Sequence, residues 1–400
     1  EMKRDFEGFA YPHINRDKCI NCGACERACP ADKQSVPADE PPKAFYAFTK
    51  DQKLLMGSSS GGAFTAIAEK ILKEGGIVFG AGYDESFHVC HMAAQNEAEL
   101  LRLRTSKYVQ SDIGGTYRQA KMALSEGKKV LFTGTPCQIA GLKKYLNQDY
   151  ENLYTADIIC HGVPSPQVWE DYLRQSHGSK QIKNVSFRDK TQGWNDFSMR
   201  ITYADGSSYC KLATKDPFER AFLANLFLRP VCYQCQYKTI NRMSDITLAD
   251  YWGVETVHPE LASQQGVSLV LVHSEKGEAL LSKLGALVSD CDDAKVTEQQ
   301  NKTREIMKKL PLADLKTDKF GKDKTSEFFD APEWRELSSS CLGCGTCTYV
   351  CPTCQCYDIK DYDTGHGVIR FRCWDSCMYS EFTRMAHGNS RKTQKERFRQ

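Results

Sequence analysis

The fold is decided by residues 131–138, which run Leu131-Phe132-Thr133-Gly134-Thr135-Pro136-Cys137-Gln138. The apolar run Val130 to Phe132 predicts a buried strand, and the run Ile139 to Tyr145 predicts a helix directly behind it. A tight turn of small residues between a strand and a helix is where α/β sheets bind cofactors. Because this turn also carries a cysteine, we interpret it as a flavin site beside an iron–sulfur centre.

Three further cysteines lie on predicted turns. A predicted strand over 153–160 ends at Cys160-His161-Gly162, and Cys232 and Cys235 follow a helix that Arg229-Pro230 closes. Four thiolates are enough for one 4Fe-4S cluster, with Cys137, Cys160, Cys232 and Cys235 as its candidate ligands. Spacing supports only the last two directly, and a redox-active Cys232/Cys235 pair is the alternative.

Composition narrows the class of protein. The chain has 400 residues, enough for two or three domains, and a formal net charge of +2, which gives no electrostatic case for binding nucleic acid. No apolar run approaches the roughly 20 residues of a membrane span, and the first residues lack the apolar segment of a signal peptide. Most of the 19 cysteines are clustered, which favours thiolate ligands in a reducing cytoplasm over disulfides. Cys90, Cys210 and Cys291 stand alone and are interpreted as ordinary small residues.

The N-terminal cysteine block has the spacing of bacterial ferredoxins. Residues 19–30 follow the pattern C-x2-C-x2-C-x3-C-P, with Cys19, Cys22, Cys25 and Cys29 as candidate ligands. Structural zinc sites favour two separated pairs, so they fit less well. In two-cluster ferredoxins the fourth cysteine of each run binds the other cluster. Only one run lies in this N-terminal block, and no initiator methionine opens the chain. Either Cys29 closes its own cluster or, as we expect, residues 1–36 are half of such a ferredoxin, cut before residue 1.

The C-terminal segment repeats this spacing. Residues 341–352 form a second ferredoxin run, and two further cysteine pairs follow it. One cluster is predicted in residues 333–400, and a second is left open because eight thiolates in short loops need not converge. The candidate ligands are Cys341, Cys344, Cys347, Cys351, Cys354, Cys356, Cys373 and Cys377.

Two other stretches are candidates for holding the flavin. Ser58-Ser59-Ser60-Gly61-Gly62 precedes a predicted helix, so free backbone N–H groups there could hold a pyrophosphate; a flexible capped loop is an equal alternative. Lys107 could pair with a phosphate or a flavin carbonyl and Tyr108 could stack, although both could equally be surface residues. Thr133, Gly134 and Thr135 of the central turn complete the candidate set.

The predicted architecture mixes α+β and α/β features. We expect a ferredoxin-like cluster module at 1–36, a surface linker at 31–56, a mixed-sheet flavin-binding core at 57–300 that is more antiparallel after 163, and a helical iron–sulfur module at 333–400.

Residues from about 1 to 300 resemble the β-subunit family of coenzyme F420 hydrogenases and dehydrogenases. The ferredoxin run, the central turn and Cys160 to Gly162 carry the match, together with five further stretches: Ser58 to Thr65, Ser106 to Asp112, Phe187 to Lys190, Asp216 to Phe218 and Cys232 to Cys235. The resemblance implies an FAD-binding core, an adjacent 4Fe-4S cluster, and hydride exchange with a reduced deazaflavin or a similar carrier. Plant reductases of chlorophyll derivatives look similar too, so the fold does not fix the substrate.

Residues 333–400 resemble a different group, the iron–sulfur electron-transfer subunits of sulfhydrogenases and anaerobic sulfite reductases. The Cys341 run, Pro352-Thr353-Cys354, Cys373 to Cys377 and Ala386-His387-Gly388 carry this match. A further ferredoxin run usually follows in such subunits, so we expect the chain to be cut at this end or to depart from the pattern.

These features predict a cytoplasmic oxidoreductase subunit of an anaerobic redox complex, with FAD and three or more 4Fe-4S clusters. The expected partners are a hydride carrier, other redox subunits of the hydrogenase, reductase or heterodisulfide-reductase type, and ferredoxin. The rival hypothesis is a pure electron relay that has no small-molecule substrate. A nucleic-acid-binding iron–sulfur sensor would need a basic groove that the charge does not suggest.

Overall fold

The computed structural model describes residues 2–30, 42–261, 263 and 265–282, and gives the backbone alone for 288–290, 357–363, 368–374, 384–385 and 388–389. The chain divides into two compact units, residues 1–302 and 303–400.

The described strands and helices alternate through most of the first unit. The strands are β1 (Met2–Arg4), β2 (Ala10–Pro12), β3 (Lys43–Ala47), β4 (Ile77–Tyr83), β5 (Val89–Ala94), β6 (Val130–Gly134), β7 (Leu153–Ile158), β8 (Ile182–Asp189), β9 (Ser198–Tyr203), β10 (Ser208–Leu212), β11 (Ile246–Asp250), β12 (Ser268–Val272) and β13 (Val288–Asp290). The helices are α1 (Ala24–Arg27), α2 (Gln52–Met56), α3 (Ala63–Lys73), α4 (Glu97–Leu103), α5 (Thr116–Ser125), α6 (Pro136–Leu146), α7 (Pro166–His177), α8 (Pro217–Leu223), α9 (Pro230–Tyr233), α10 (Val254–Val257) and α11 (Glu275–Ser282).

An eight-stranded mixed sheet forms the centre of the first unit. Its order is β13-β3-β12-β11-β7-β6-β4-β5, in which β11, β7, β6 and β4 are mutually parallel. The apolar runs in β4 and β6 are continuous because helices cover both faces of the sheet. Val78 and Leu131 face a core shared with α3, whereas Phe79 and Phe132 face a core shared with α5 and α6.

The central strand–turn–helix prediction is confirmed. β6 leads into α6, where Pro136 takes the first helical position and the side-chain oxygen Oε1 of Gln138 accepts a 2.9 Å hydrogen bond from the Thr135 N–H. Proline suits that position because its fixed φ is helical and its missing N–H would have no helical partner.

A smaller antiparallel sheet, in the order β10-β9-β8, confirms the antiparallel character predicted after residue 163. Its aromatic-rich core includes Trp169 of α7, Phe187 of β8 and Phe218 of α8. The helix that was predicted to run up to Arg229-Pro230 stops earlier, at Leu223, since Asn225 adopts a left-handed φ of 61°.

The prediction of a surface linker over 31–56 is wrong for its second half. Residues 43–47 form β3, which pairs with β12 inside the large sheet, and α2 follows it. Ala47 and Leu55 are buried, so this stretch contributes to the core.

In the second unit, β14 (Tyr357–Asp363) pairs antiparallel with β15 (Val368–Trp374), and β16 (Arg384–Met385) pairs with β17 (Gly388–Asn389). The described residues of this segment are therefore all in strands, and the helical character predicted for 333–400 is not confirmed. Among the residues that the structure describes, no helix is long and apolar enough to cross a membrane.

Candidate cofactor and metal site

Several of the predicted site residues of the first unit lie at one edge of the large sheet. The parallel strands β4, β6, β7 and β11 all end there, with Gly134 opposite Asp157 and Ile158 opposite Leu248 in the strand register. The serine–glycine loop lies on the same edge, because the Gly61 carbonyl accepts from the Thr49 N–H (2.9 Å) beyond β3. Carboxyl ends of parallel strands are the usual place for ligands in α/β sheets.

The four core cysteines are neighbours at this edge. Cys137 lies in the first turn of α6, Cys160 follows β7, and Cys232 and Cys235 lie in and just after α9. The chain after Cys160 passes directly against α9, since a Cβ on Gly162 would lie 3.3 Å from the Cβ of Cys232. Burial raises the thiol pKa of Cys160 to about 12, with further contributions from Cys137, Cys232 and Cys235.

The chemistry of this donor set fits an iron–sulfur cluster, but its side chains are not assembled around a point. In the described part of the chain, no three His, Cys, Asp or Glu side chains are placed to hold a metal ion together. The ten cysteines whose side chains are described are free thiols. Since burial also raises the pKa of the Cys137 thiol, metal coordination would be what deprotonates these groups and draws them together.

The N-terminal run lies mostly on the surface. Cys19, Cys22 and Cys25 are exposed and Cys29 is half-buried. Gly23 adopts a left-handed φ of 67° before the single-turn helix α1, and Arg27 Nη1 donates to the Cys22 carbonyl (2.9 Å). Of the second-unit candidates, Cys373 lies in β15, and the other seven lie outside the described residues.

The serine–glycine loop is held by the protein itself. Ser58 Oγ donates to the Leu54 carbonyl (2.8 Å), Ser60 Oγ donates to the Val267 carbonyl (2.7 Å), and Ser59 Oγ accepts from the Ser106 N–H (2.8 Å). Gly61 is required by packing, because a Cβ there would lie 2.1 Å from the Ala47 carbonyl oxygen. Ser58 and Ser60 thus use their hydroxyl protons within the protein, whereas Ser59 Oγ only accepts, so the loop could offer an anion the Ser59 hydroxyl proton and backbone N–H groups.

Lys107 is turned toward backbone rather than toward the sheet edge. Its Nζ donates to the carbonyls of Arg102 (3.1 Å), Arg104 (2.6 Å) and Thr105 (3.2 Å). Burial lowers its pKa to about 7. These bonds use all three ammonium donors, so in this geometry Lys107 braces the end of α4.

Tyr108 belongs to an aromatic and cationic cluster. Its ring stacks on Phe222 at a centroid separation of 4.8 Å, and Phe222 in turn contacts the His161 ring at 4.7 Å. Arg188 Nη1 donates to the Tyr108 hydroxyl (3.1 Å), and Arg188 Nη2 donates to the Ser59 carbonyl (3.3 Å). One guanidinium therefore joins two of the predicted cofactor segments.

The central turn is braced by a buried histidine. Thr133 Oγ1 donates to the Phe79 carbonyl (2.9 Å), and the Thr133 carbonyl lies 2.9 Å from His91 Nε2. Since a carbonyl only accepts, Nε2 is the protonated nitrogen, and His91 Nδ1 accepts from the Ser111 hydroxyl at 2.7 Å. Burial lowers the pKa of His91 to about 4, so this tautomer is neutral.

Where β7 and β11 end, the sheet edge exposes apolar side chains. Ile158 and Ile159 at the end of β7 are 44% and 53% exposed, and Trp252 beyond β11 is 51% exposed. Trp252 stacks on buried Trp194 at 4.7 Å with an interplanar angle of 8°. An exposed apolar strip with polar groups at its rim is what a planar aromatic cofactor would cover.

Some buried polar atoms of the described residues lack partners. In the described part of the chain, Arg188 Nε, the Tyr83 hydroxyl and both carboxyl oxygens of Glu219 lack hydrogen-bond partners. The stretch Phe187 to Lys190 was predicted to supply polar and aromatic groups that could meet a cofactor, although Arg188 was not among the predicted binding residues. Roles for Trp252, His91 and Glu219 were not predicted. The one available signal was the aromatic Trp252 at the end of the strand predicted over 245–252, which in the structure stops at Asp250.

Comparisons with known proteins identify the class. Models of the coenzyme F420 hydrogenase/dehydrogenase β subunit match the chain in two parts, the N-terminal model at residues 44–115 and the C-terminal model at 127–288. A 4Fe-4S binding domain matches residues 11–34, and a 4Fe-4S dicluster domain matches residues 340–400. The two β-subunit models together cover more than half of the chain, which belongs to this family and carries two 4Fe-4S-binding domains.

Similar proteins include sulfhydrogenase 2 subunit β of Pyrococcus furiosus, 41% identical over 73 residues that make up 18% of this chain and 22% of the relative. Coenzyme F420-dependent sulfite reductase of Methanocaldococcus jannaschii is 28% identical over 163 residues, 39% of this chain and 25% of the relative. The chain thus spans a quarter or less of these two relatives. F420-dependent formate dehydrogenase subunit β of the same organism is 24% identical over 333 residues, 80% of each chain.

A chain in the structure of the F420-reducing [NiFe] hydrogenase complex from Methanosarcina barkeri is also similar. It shares 18% identity with a TM-score of 0.44, over 68% of this chain and 95% of that chain.

Proposed function

We propose that this chain is an electron-transferring oxidoreductase subunit that takes hydride from a reduced deazaflavin, or a similar two-electron carrier, at a bound FAD and passes electrons to 4Fe-4S clusters. The observation that carries the proposal is the shared sheet edge. The Thr133 to Thr135 turn, the four core cysteines and the exposed strip Ile158, Ile159 and Trp252 all lie where the parallel strands end.

Each part of the edge has a role in this proposal. Cys137, Cys160, Cys232 and Cys235 would ligate the core cluster, and the exposed strip would cover the flavin ring. The serine–glycine loop and the central turn would offer backbone N–H groups to the cofactor's phosphates and ring. When bound, FAD accepts two electrons together and returns them singly, which clusters require.

The chain's own side chains would serve to position and enclose the cofactor rather than to exchange protons with the substrate. Neutral His91 holds the Thr133 carbonyl, and Arg188 ties the Tyr108 and Ser59 segments together. Both are fixed by buried bonds, which is what a site for a rigid cofactor needs. The names of two relatives, both F420-dependent, support a deazaflavin as the hydride carrier.

The names of the relatives also support membership of a larger complex, since two of them are subunits. We propose that other redox subunits contact the terminal 4Fe-4S domains. A pure relay is the second candidate, favoured by the serine–glycine loop, in which Ser58 and Ser60 already donate their hydroxyl protons to backbone carbonyls of the protein.

Anaerobic reduction followed by visible absorbance distinguishes the two. Purified protein would be offered reduced F420, NADH, NADPH and reduced ferredoxin separately. Bleaching of a flavin band by one hydride carrier supports the oxidoreductase, and bleaching by ferredoxin alone supports the relay. Protein that retains its iron but shows no flavin band would refute the cofactor assignment.

A further inference from the structure

The end of the N-terminal ferredoxin run is anchored to the core next to the core cysteines. The Tyr237 hydroxyl donates a 2.6 Å hydrogen bond to the Pro30 carbonyl, and Gln236 Nε2 donates to the same oxygen at 2.9 Å. Lys144 Nζ donates to the Cys29 carbonyl at 2.7 Å. Three donors therefore converge on two consecutive peptide carbonyls at the last cysteine of the run.

These donors come from the segments that carry the core cysteines. Gln236 and Tyr237 directly follow Cys235, and Lys144 lies on α6, the helix that begins beside Cys137. Pro30 also lies near α6, since a Cβ on Gly141 would be in ordinary van der Waals contact with Pro30 Cγ, at 3.7 Å.

Tyr237 is fixed from both sides. Its side chain is buried, and Arg242 Nη1 donates to its carbonyl. Because the Pro30 carbonyl can only accept, the phenolic O–H of Tyr237 is the donor of the bond between them.

We infer that Tyr237, with Lys144, is the positioning residue that makes the N-terminal 4Fe-4S module the direct redox neighbour of the core cluster. This rests on the proposed function, because it requires a cluster at the core cysteines. Cys235 and Tyr237 are separated by one residue, and Pro30 adjoins Cys29, so the covalent chain and one hydrogen bond connect the two ligand sets. The step is a transfer of one electron that oxidises one cluster and reduces the other, with no proton moved.

Tyr237→Phe tests the junction, because it removes the hydroxyl and keeps the ring. Tyr233→Phe is the matched control: this neighbouring tyrosine is exposed and donates to the Asn225 carbonyl instead of to the ferredoxin run. Two readouts on anaerobic, cluster-loaded protein are needed. They are hydrogen–deuterium exchange of residues 19–30 and the magnetic interaction between the reduced clusters in electron paramagnetic resonance.

For Tyr237→Phe we expect backbone exchange in residues 19–30 to rise roughly fivefold, the effect of one lost hydrogen bond, and the interaction between the clusters to weaken. Tyr233→Phe should match the wild type in both. Equal behaviour of the two variants, with both clusters present, would overturn the inference alone. A wild-type protein without a core cluster in its spectrum would overturn the proposed function and the inference with it.

Discussion

Arg188 and Asp250 form a bidentate ion pair at the edge of the large sheet where the parallel strands have their carboxyl ends. Arg188 Nη1 lies 2.8 Å from Asp250 Oδ2, and Nη2 lies 3.2 Å from Oδ1. The Arg188 side chain is 3% exposed. Because the planar guanidinium has five donors, the same group also reaches the Tyr108 hydroxyl and the Ser59 carbonyl. Three segments distant in sequence are thereby fixed around one cation.

Replacing Arg188 should strongly destabilise the folded protein. Arg188→Met leaves the Asp250 carboxylate without its cation and, among the described residues, with only the Trp194 indole N–H as a donor (3.0 Å), and breaking a buried ion pair in this way costs about 3–5 kcal/mol. We expect a large fall in melting temperature and, since Ser59 and Tyr108 lose their shared donor, a lower flavin content per chain. Differential scanning fluorimetry and the flavin-to-protein absorbance ratio measure the two effects.

Arg200→Met is the matched control. Arg200 pairs with Asp189 at 2.6 Å across the small sheet, but its side chain is 30% exposed. A pair of this kind contributes about 1 kcal/mol or less. Similar falls in melting temperature and flavin content in both variants would show that the Arg188–Asp250 pair has no special structural role.

His91 predicts a specific loss of stability in acid. Its pKa is lowered from 6.5 to about 4 by burial, so the unfolded chain binds a proton in this range before the folded chain does. The contribution of neutral His91 to the free energy of unfolding is fully present above pH 6.5 and is lost as the pH falls through 4. The free energy of unfolding changes by about 3 kcal/mol over this range. His91→Gln retains an N–H donor for the Thr133 carbonyl and should flatten this part of the pH–stability profile.

His88→Gln is the matched control for His91→Gln. His88 is the residue directly before β5. The His88 side chain is 41% exposed and contacts Asp84 and Glu170. This substitution should leave the acid-dependent loss between pH 6.5 and 4 in place. If His91→Gln retains the same loss, then other groups are responsible for it.

What could be predicted from the sequence was local in the chain. The strand, turn and helix around Thr135 are encoded by adjacent residues, and so are the C-x2-C spacings that the 4Fe-4S domain matches confirm. The edge position of Cys160 was also foreseeable, although β7 ends two residues earlier, at Ile158. The individual ligand and cofactor assignments stay predictions.

What could not be predicted depends on partners far away in sequence. β3 looked like a linker because its strand partner β12 lies more than 200 residues later, with Lys43 opposite Val272. Lys107 looked available for a phosphate, and only the folded chain shows three carbonyls around its ammonium group. Arg188 is likewise defined by Ser59 and Asp250, which no local pattern connects to it.

Glu219 predicts the opposite pH trend from His91. It is fully buried, and burial, with a smaller contribution from Asp216, raises its carboxyl pKa from 4.5 to about 9. The folded state therefore holds a proton that the unfolded chain loses above pH 4.5, so stability falls as the pH rises toward 9. Glu219→Gln should remove this trend and stabilise the protein by about 3 kcal/mol at pH 7. Thermal melts from pH 5 to 8.5 would measure it.

Glu74→Gln provides a control of opposite sign. Hydrogen bonds from Lys129 and Lys70 lower the Glu74 pKa to about 2, so its ionised form is the one favoured by folding. That substitution should not stabilise the protein at any pH in the range. A Glu219→Gln variant that melts no higher than the wild type at pH 8 would contradict the buried protonated carboxyl.

If the core cysteines bind a 4Fe-4S cluster, replacing Cys235 should lower the iron content of the protein and replacing Cys210 should not. Cys235→Ser should lose about four irons per chain, because a missing thiolate opens the four-cysteine set of a 4Fe-4S cluster. Cys210→Ser is the control, since Cys210 lies in β10 of the small sheet, away from the shared edge, and should retain full iron content. Iron and labile sulfide per chain, with the visible spectrum of anaerobic protein, measure both. Unchanged iron in Cys235→Ser would favour the alternative in which Cys232 and Cys235 act as a thiol pair, and alkylation of the reduced protein would then label both.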